Sequence, residues 1–477
     1  MQRSRAFVDA AAAREEAVVY GVTTGLGALA GTHISPTARV ELQRALIRSH
    51  AAGSGPPLER EVVRAMILLR SATLARGYSG VRPRVVEGLL ALLNAGVTPV
   101  VPRYGSLGAS GDLAPLAHVA LCLLGEGRAV DASGREVDGG QALAEIGLEP
   151  QQLQAKEGIA LLNGTDGMLG MLVLACVDAE QLLQAADVAC AMSVEALLGT
   201  DRSFAADLQA LRPQPGQAVS AKNLRQLLAG SEVTESHRAS AHLVQDAYSL
   251  RCHPQVAGAA RDTLAFAVQV AGRELAASID NPSVLGDGRI ESNGNFHGEI
   301  LAFACDFLAI ALAEVGAIAE RRIDRLLDPN RSQGLPAFLA PEPGVNSGLM
   351  LPQYTAAALV AENKRLAVPA SVDSVPTSGM QEDHVSMGFG AACKLRQVID
   401  NVTRVIGIEL VCAGHGLDLR APLQPARGTG AALGVLRQEV PGPGPDRVVA
   451  PMLAAAEAMV RDRRIHAAVE QAIGNLE

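Results

Sequence analysis

Five long segments rich in alanine and leucine constrain the fold of this chain more than any other feature. They cover residues 167–198, 256–278, 298–327, 350–366 and 386–415. Their charges are sparse, aromatic residues make up only 3% of the chain and tryptophan is absent. Alanine and leucine favour closely packed helices, and a helix that is apolar on most sides needs partners on most sides. We therefore expect an all-α protein, a bundle of long buried helices with further burial against other subunits.

The rest of the chain is arranged around this bundle. We expect an N-terminal region at 1–165, the bundle at 166–420 and a C-terminal helical tail at 421–477, packed on the same unit. Apolar spacing in the N-terminal region predicts short helices at 41–51, 60–76 and 84–95, separated by glycine-rich loops. In the tail, a Pro/Gly-rich stretch at 441–446 precedes one last expected helix.

Charge and cysteine usage exclude several classes of protein. The chain has 50 acidic against 41 basic residues, a net charge of -9, and no long basic run, so no nucleic-acid partner is expected. The seven cysteines are odd in number, scattered and never paired as C-x-x-C, which argues against a disulfide framework and against a zinc site. No stretch of 18 uncharged apolar residues and no signal peptide are found. We expect a cytoplasmic protein without a membrane partner.

A dense group of small residues lies between 105 and 118, in the order Gly-Ser-Leu-Gly-Ala-Ser-Gly-Asp-Leu-Ala-Pro-Leu-Ala-His. Taken alone, an Ala-Ser-Gly step is typical of a flexible turn. The segment lacks the last glycine of the G-x-S-x-G motif of hydrolases, and no Lys-Ser/Thr pair follows to complete a phosphate loop. The complete string resembles the signature of the aromatic amino-acid ammonia-lyases.

In that family the Ala-Ser-Gly step cyclises into 4-methylideneimidazol-5-one, abbreviated MIO. The resemblance implies that Ala109, Ser110 and Gly111 do so here, without a metal or a diffusible cofactor. Gly111 lacks a Cβ, so its amide nitrogen can approach the Ala109 carbonyl, and Ser110 then loses water. Asp112 and a helix starting near Leu113 would favour negative charge beside this electrophile. Ammonia is a poor leaving group, and ordinary side chains supply no strong electrophile.

The resemblance extends over nearly the whole chain and implies roles for further residues. Tyr20, in Tyr-Gly-Val-Thr-Thr-Gly-Leu-Gly, would be the catalytic base and would lose its proton near neutral pH. Asn163 would hydrogen-bond the substrate carboxylate or the MIO carbonyl. In Gln-Asp-Ala-Tyr-Ser-Leu-Arg, Arg251 would bind the substrate carboxylate bidentately and Tyr248 would hydrogen-bond near the amino group. Phe296, in Gly-Asn-Phe-His-Gly, would pack beside the MIO.

Three positions favour the histidine branch of this family. His50, after Ser49, matches the histidine version of a selectivity position that reads Phe-Leu in phenylalanine lyases and His-Leu in tyrosine lyases. Glu382 stands where those enzymes usually carry glutamine, and a carboxylate can accept the N–H of an imidazole. Gln245 adds an amide near the same end. The resemblance thus implies that ammonia is eliminated from L-histidine to give trans-urocanate.

Other residues depart from the histidine branch and leave alternatives open. Thr23 resembles the loops of phenylalanine lyases and aminomutases, Leu26 replaces the usual phenylalanine, and Met380 stands where asparagine commonly precedes Gln-Glu-Asp-His. The alternatives are a tyrosine or phenylalanine ammonia-lyase and an aromatic 2,3-aminomutase. A non-catalytic helical assembly protein is a third alternative, although a bundle alone has no need of Tyr20 or Arg251.

The resemblance also implies an architecture and an assembly. The fold would be the fumarase/aspartase-like long-helix bundle of the ammonia-lyases, with the MIO loop in the smaller N-terminal region. The family forms homotetramers whose active sites draw residues from three subunits. The expected partners are therefore an aromatic amino-acid substrate and other copies of this chain.

Overall fold

The computed structural model describes residues 1–14, 16–240 and 243–477. These residues form two compact units, each built from separate parts of the sequence. The first unit contains Met1–Leu174, Gln269–Asp306 and Pro369–Cys393, and the second contains Ala175–Val268, Phe307–Val368 and Lys394–Glu477. The three regions expected at 1–165, 166–420 and 421–477 are each continuous in sequence, whereas each unit combines separate segments. The two units do not test the expected division, which stays a prediction.

Helices dominate the described residues. In chain order they are α1 (Gln2–Ala13), α2 (Arg39–His50), α3 (Arg60–Ala75), α4 (Pro83–Asn94), α5 (Leu113–Leu123), α6 (Gly139–Glu145), α7 (Glu157–Leu162), α8 (Asp166–Ala196), α9 (Ala206–Ala210), α10 (Pro215–Leu228), α11 (Glu232–Glu235), α12 (Tyr248–Arg251), α13 (His253–Leu275), α14 (Glu299–Leu327), α15 (Met350–Leu366), α16 (Gly388–Asp418), α17 (Arg427–Leu436), α18 (Ala450–Arg461) and α19 (Arg464–Ile473). The all-α prediction is confirmed.

All five long apolar segments are helical. Helix α15 has the expected bounds, and α8, α13, α14 and α16 begin and end within three residues of expectation. Helix α8 shows why such a sequence needs partners all round. Five successive side chains of α8 are fully buried, namely Val188, Ala189, Cys190, Ala191 and Met192. Because successive helical residues are about 100° apart, these five cover every side of the helix.

Short antiparallel strand pairs accompany the helices of the first unit. They are β1 (Ser54–Pro57) with β3 (Pro102–Tyr104), β4 (Arg128–Val130) between β2 (Thr98–Pro99) and β5 (Glu136–Asp138), and β6 (Ser283–Val284) with β7 (Ile290–Glu291). None exceeds four residues, and such short strands leave no periodic pattern in a sequence. The three short helices expected in the N-terminal region are α2, α3 and α4, which confirms them.

The expectation of one last helix after 441–446 is wrong, because two helices follow this stretch. Helices α18 and α19 are separated at Arg463, whose φ is 59°. Left-handed backbone at a non-glycine residue interrupts a right-handed helix. Buried Val460 and Ile465 lie on either side of the break, so the apolar pattern continues across it and conceals it.

Two helical segments pass the length and hydropathy criteria of a membrane span. They are Glu157–Ala196 and Glu299–Leu327, and 89% and 56% of their most apolar stretches are buried inside the protein. These criteria use only the length and composition of a helix, and the core helix of a protein satisfies them as well. The deep burial of the first segment is that of a core helix.

The second unit buries a hydrogen-bonded network around Arg322. The guanidinium pairs with Glu409, with 2.8 Å between Nη2 and Oε2. Nη1 also donates to the Ser249 carbonyl at 3.2 Å and lies 3.1 Å from Nδ1 of His253. The side chains of Arg322 and Glu409 are wholly buried. Since Ser249 belongs to α12, this network holds the short helix that carries two of the expected site residues.

We expect Glu409→Gln to lower the free energy of unfolding by about 3–5 kcal/mol, because it leaves the Arg322 charge buried without its partner. Glu362→Gln is the matched control. Glu362 pairs with Arg365 at 2.8 Å, but the two side chains are 34% and 80% exposed, so its loss should cost less than about 1 kcal/mol. Denaturant unfolding measures both values, and equal losses would contradict the stabilising role of the buried pair.

Candidate active site

The Ala109–Gly111 loop passes too close to its neighbours for side chains at its glycines. Gly108 and Gly111 have φ of 68° and 73°. A Cβ on Gly111 would lie 2.2 Å from the carbonyl oxygen of Gly164, and a Cβ on Gly108 would lie 2.3 Å from Oγ of Ser386. Glycine at 111 is thus required by both its backbone and its surroundings. This cradle fits a tripeptide whose Gly111 amide must approach the Ala109 carbonyl.

Asp112 anchors this loop to the beginning of α8. Its Oδ2 accepts the backbone N–H groups of Gly167 and Met168 at 2.8 and 3.0 Å, and its Oδ1 accepts the hydroxyl of Ser106 at 3.0 Å. Helix α5 begins at Leu113, as expected, but the Asp112 carboxylate binds the N-terminus of α8. Burial raises the pKa of Asp112 to about 7, against the lowering effects of these donors.

Asn163 follows α7 directly, and Gly164 beside it contacts Gly111. The Asn163 carbonyl accepts a hydrogen bond from the buried Arg70 at 2.7 Å. Asn163 is 2% exposed, and its side-chain Oδ1 is buried without a hydrogen-bond partner among the described residues. A buried amide oxygen of this kind is costly unless a donor reaches it, so this atom is suited to bind a donor from a ligand.

The Tyr20 loop folds back on itself and touches a second loop. The Tyr20 hydroxyl oxygen accepts the backbone N–H of Gly27 at 3.0 Å. The next amide, that of Ala28, donates to Oγ of Ser378 at 3.3 Å. Residue 378 is four positions before Glu382, so the loop of the expected base lies against the segment that carries the expected selectivity carboxylate.

Glu382 hydrogen-bonds the Ala109–Gly111 loop and lies near His50, a second expected selectivity position. Its Oε1 accepts the Ser110 hydroxyl at 3.2 Å, and its Oε2 accepts the Thr377 hydroxyl at 2.8 Å. His50 lies at the end of α2, with Nδ1 2.9 Å from the Leu46 carbonyl. Burial lowers the pKa of His50, against smaller raising effects of that carbonyl and of Glu382. His50 therefore lies close enough to the Glu382 carboxylate for the two groups to interact electrostatically.

Phe296 is half-buried in the segment that leads into α14. Two residues later, the Cα of Gly298 packs so closely that a Cβ there would lie 2.5 Å from Cε of Met168 and 3.2 Å from Oγ of Ser386. Ser386 in turn donates to the Gly108 carbonyl at 3.1 Å. The phenylalanine thus belongs to a segment packed against Met168 and Ser386, and Ser386 holds Gly108 next to the Ala109–Gly111 loop.

The second unit holds the remaining expected residues. Tyr248 and Arg251 occupy the single turn α12, and the Arg251 guanidinium carbon lies 4.5 Å from the centre of the Tyr248 ring. Nε of Arg251 donates to the Asp246 carbonyl at 2.9 Å. Gln245 and Tyr248 are exposed. These contacts orient the guanidinium through its Nε and its stacking on the Tyr248 ring.

The structure also reveals residues that sequence reasoning missed. The hydroxyl of Ser106 donates to Asp112, that of Thr377 to Glu382 and that of Ser386 to the Gly108 carbonyl. Isolated serines and threonines carry no sequence signal. A signal was available only for Gly164, the glycine after Asn163. A Cβ at Gly164 would lie 2.3 Å from Nη1 of Arg70.

The chain matches known proteins along nearly its whole length. The model of the family described as aromatic amino acid lyase matches residues 1–438. The histidine ammonia-lyase of Streptomyces avermitilis is 59% identical over 474 residues, which make up 99% of this chain and 92% of that protein.

Two solved structures share this arrangement of helices. The histidine ammonia-lyase of Trypanosoma cruzi is 41% identical with a TM-score of 0.89, and the alignment covers 99% of this chain and 88% of that one. The tyrosine aminomutase of Streptomyces globisporus is 38% identical with a TM-score of 0.93, over 100% of this chain and 93% of that one. Likeness at this level extends over both compact units.

Proposed function

Since the chain belongs to the aromatic amino acid lyase family, we propose that it eliminates ammonia from L-histidine and releases trans-urocanate. It is a carbon–nitrogen lyase with the long-helix bundle of the ammonia-lyases. The observation that carries the substrate proposal is the position of Glu382. Its carboxylate accepts the Ser110 hydroxyl, and its charge has a raising effect on the pKa of His50. A carboxylate next to the reactive loop provides an acceptor for the N–H of an imidazole ring.

The cofactor proposal rests on the cradle of the loop. Ala109, Ser110 and Gly111 would form the MIO group. Only a glycine fits at position 111, because a Cβ there would collide with the carbonyl of Gly164. MIO supplies an electrophilic methylene, which no ordinary side chain provides. Asn163, with its unpartnered buried Oδ1, would accept a hydrogen bond from the substrate, and its amide nitrogen would bind the substrate carboxylate or the ring carbonyl.

Tyr20 would remove the β-proton of the substrate. The Gly27 amide donates to its hydroxyl oxygen at 3.0 Å, and such a donor stabilises negative charge on a phenolate. Arg251 would bind both oxygens of the substrate carboxylate with its terminal nitrogens, because its Nε is engaged by Asp246 and its plane lies near Tyr248. Tyr248 would hydrogen-bond the amino group.

Specificity would come from three side chains around the imidazole ring. Glu382 accepts one ring N–H, while His50 and Gln245 supply further polar contacts. Phe296 would pack beside the MIO and exclude water. Glu382 is half-buried, and a phenyl ring offers it no N–H to accept, so phenylalanine would lose this hydrogen bond.

We also propose a cytoplasmic homotetramer with active sites shared between subunits. An apolar groove of the second unit, between α13 and α14, supports an interface. Phe266, Phe307 and Ile310 line it and are 38–47% exposed, with ring centres of the two phenylalanines 6.1 Å apart. Exposed aromatic patches mark interaction surfaces. Light scattering that gives the mass of one chain would refute the assembly. The seven cysteines form no disulfide among the described residues, which suits a reducing compartment.

The substrate proposal is tested by supplying L-histidine, L-tyrosine and L-phenylalanine separately and following the ultraviolet absorbance of the conjugated acrylate. We expect kcat/KM for histidine to exceed that for phenylalanine by about 10³-fold or more, because a phenyl ring has no N–H for the carboxylate to accept. Glu382→Gln should reduce this preference. Turnover of tyrosine but not histidine would disprove the substrate.

The aminomutase alternative loses its main support in the structure. Thr23 is buried, and its Oγ1 donates to the Ala17 carbonyl at 2.5 Å and accepts the Val19 amide at 2.9 Å. The side chain therefore stabilises its own loop. Chromatography of the reaction products checks this alternative, since a β-amino acid formed in place of the acrylate would require an aminomutase.

A further inference from the structure

We propose that His297, Glu299 and His384 form a binding site for a divalent transition-metal cation. This trio, called the His-Glu-His cluster below, lies in the first unit. It has no role in the proposed elimination, and the inference does not rest on that reaction. One ligand atom from each side chain can be chosen so that all three lie within 4.8 Å of one another.

The hydrogen bonding of His297 fixes which of its nitrogens is available. Nε2 lies 3.3 Å from the carbonyl oxygen of His384, and because a carbonyl only accepts, Nε2 is the donor. In the neutral ring, Nδ1 then carries a free lone pair. Metal-binding histidines commonly donate their second N–H to a carbonyl in this way, which fixes both the tautomer and the ring orientation.

Glu299 supplies the second observation. Its Oε2 is buried and has no hydrogen-bond partner among the described residues. This oxygen faces Nδ1 of His297 at 3.9 Å, too far for a hydrogen bond. Two lone pairs that face each other across such a gap repel, and a cation between them removes the repulsion. A tetrahedral ion with ligands at about 2.1 Å places them about 3.4 Å apart, so the three ligand atoms, which lie within 4.8 Å of one another, must move closer by up to about 1.4 Å.

The third ligand comes from the loop that follows Glu382. The rings of His297 and His384 lie with their centres 5.7 Å apart and tilted by 39°. Two imidazoles and one carboxylate suit zinc or cobalt(II) better than magnesium or calcium, which prefer oxygen ligands. Three protein ligands would leave a fourth position for water.

A bound cation would join two segments that already pack on the Ala109–Gly111 loop. Gly298, between two of the ligands, packs on Met168 and Ser386. Ser386 follows His384 by two residues and donates to the Gly108 carbonyl. Since the ion binds the folded protein and not the separated segments, its binding should raise the temperature of unfolding.

The test uses tag-free, full-length protein dialysed against a chelator and then titrated calorimetrically with zinc chloride. We expect one ion per chain with roughly micromolar affinity, and a visible d–d absorption of tetrahedral type when cobalt(II) replaces zinc. Glu299→Gln, which keeps the shape of the side chain, and His384→Ala should each weaken binding by at least about tenfold. Both should also lose the rise in unfolding temperature.

His33→Ala is the matched control, because His33 is an exposed histidine of the first unit outside the cluster. It should bind zinc as tightly as the unmodified protein. Absence of binding to the unmodified protein would overturn the proposal. So would equal affinity of the two cluster variants and the control, since the zinc would then be held by other surface groups.

Discussion

Replacing Ser110 with alanine is expected to abolish the release of ammonia while the helices remain intact. The rate should fall by at least about 10³-fold, as it does when a residue that acts covalently is removed, because the variant has no hydroxyl to lose as water. The side chain is only half-buried, and its hydroxyl donates to Oε1 of Glu382 at 3.2 Å. Its loss should therefore cost little stability. Product absorbance measures the rate, and circular dichroism measures the fold.

Ser133→Ala is a suitable control for this variant. Ser133 lies in the turn between β4 and β5, where its hydroxyl binds Asp131 at 2.6 Å, and it has no place in the proposed site. This variant should keep full activity. Full activity of Ser110→Ala would refute the MIO mechanism and, with it, the electrophile on which the proposed reaction depends.

Gly111→Ala should also remove the activity, for a different reason. An alanine Cβ at this position would lie 2.2 Å from the Gly164 carbonyl, at a backbone φ of 73°. The loop would have to move, which separates the Gly111 amide from the Ala109 carbonyl. We expect loss of activity comparable to that of Ser110→Ala, together with a loss of stability beyond the roughly 1–2 kcal/mol that positive φ alone costs alanine.

Gly134→Ala separates these two effects. Gly134 has a φ of 86°, but a Cβ there would have no atom within 4 Å. This control should therefore lose only the stability that the backbone conformation costs an alanine, and it should remain active. Denaturant unfolding and product absorbance are measured for both variants. Equal stability losses would show that contact with Gly164 has no energetic consequence, contrary to the close approach in the structure.

The sequence was sufficient for the five long helices and for α2, α3 and α4, because their apolar spacing is encoded in neighbouring residues. Other helices, such as α10 and α17, were not predicted. The bounds of α15 agree with expectation, and the break at Arg463 escaped because the apolar spacing of Val460 and Ile465 continues through it. Seven short strands were not foreseen, since a pair of two-residue strands depends on its partner and not on a pattern of its own.

The candidate site shows the same division. The resemblance of the Ala109–Gly111 string predicts the reactive loop, and that role stays a prediction, as do the roles of Asn163, Tyr248 and Arg251 in catalysis. The cluster at His297, Glu299 and His384 escaped the sequence analysis entirely. His297 and Glu299 are separated by one glycine in the sequence, and His384 lies 87 residues after His297.

By itself, then, the sequence determined the long apolar helices and supplied the Ala109-Ser110-Gly111 motif on which the MIO prediction rests, because both are encoded in neighbouring residues. Tertiary structure alone decided that Ser110 meets Glu382, 272 residues away, and that Gly111 lies against Gly164. Contacts between distant residues depend on how packed helices close the loops between them, and no local periodicity encodes that geometry.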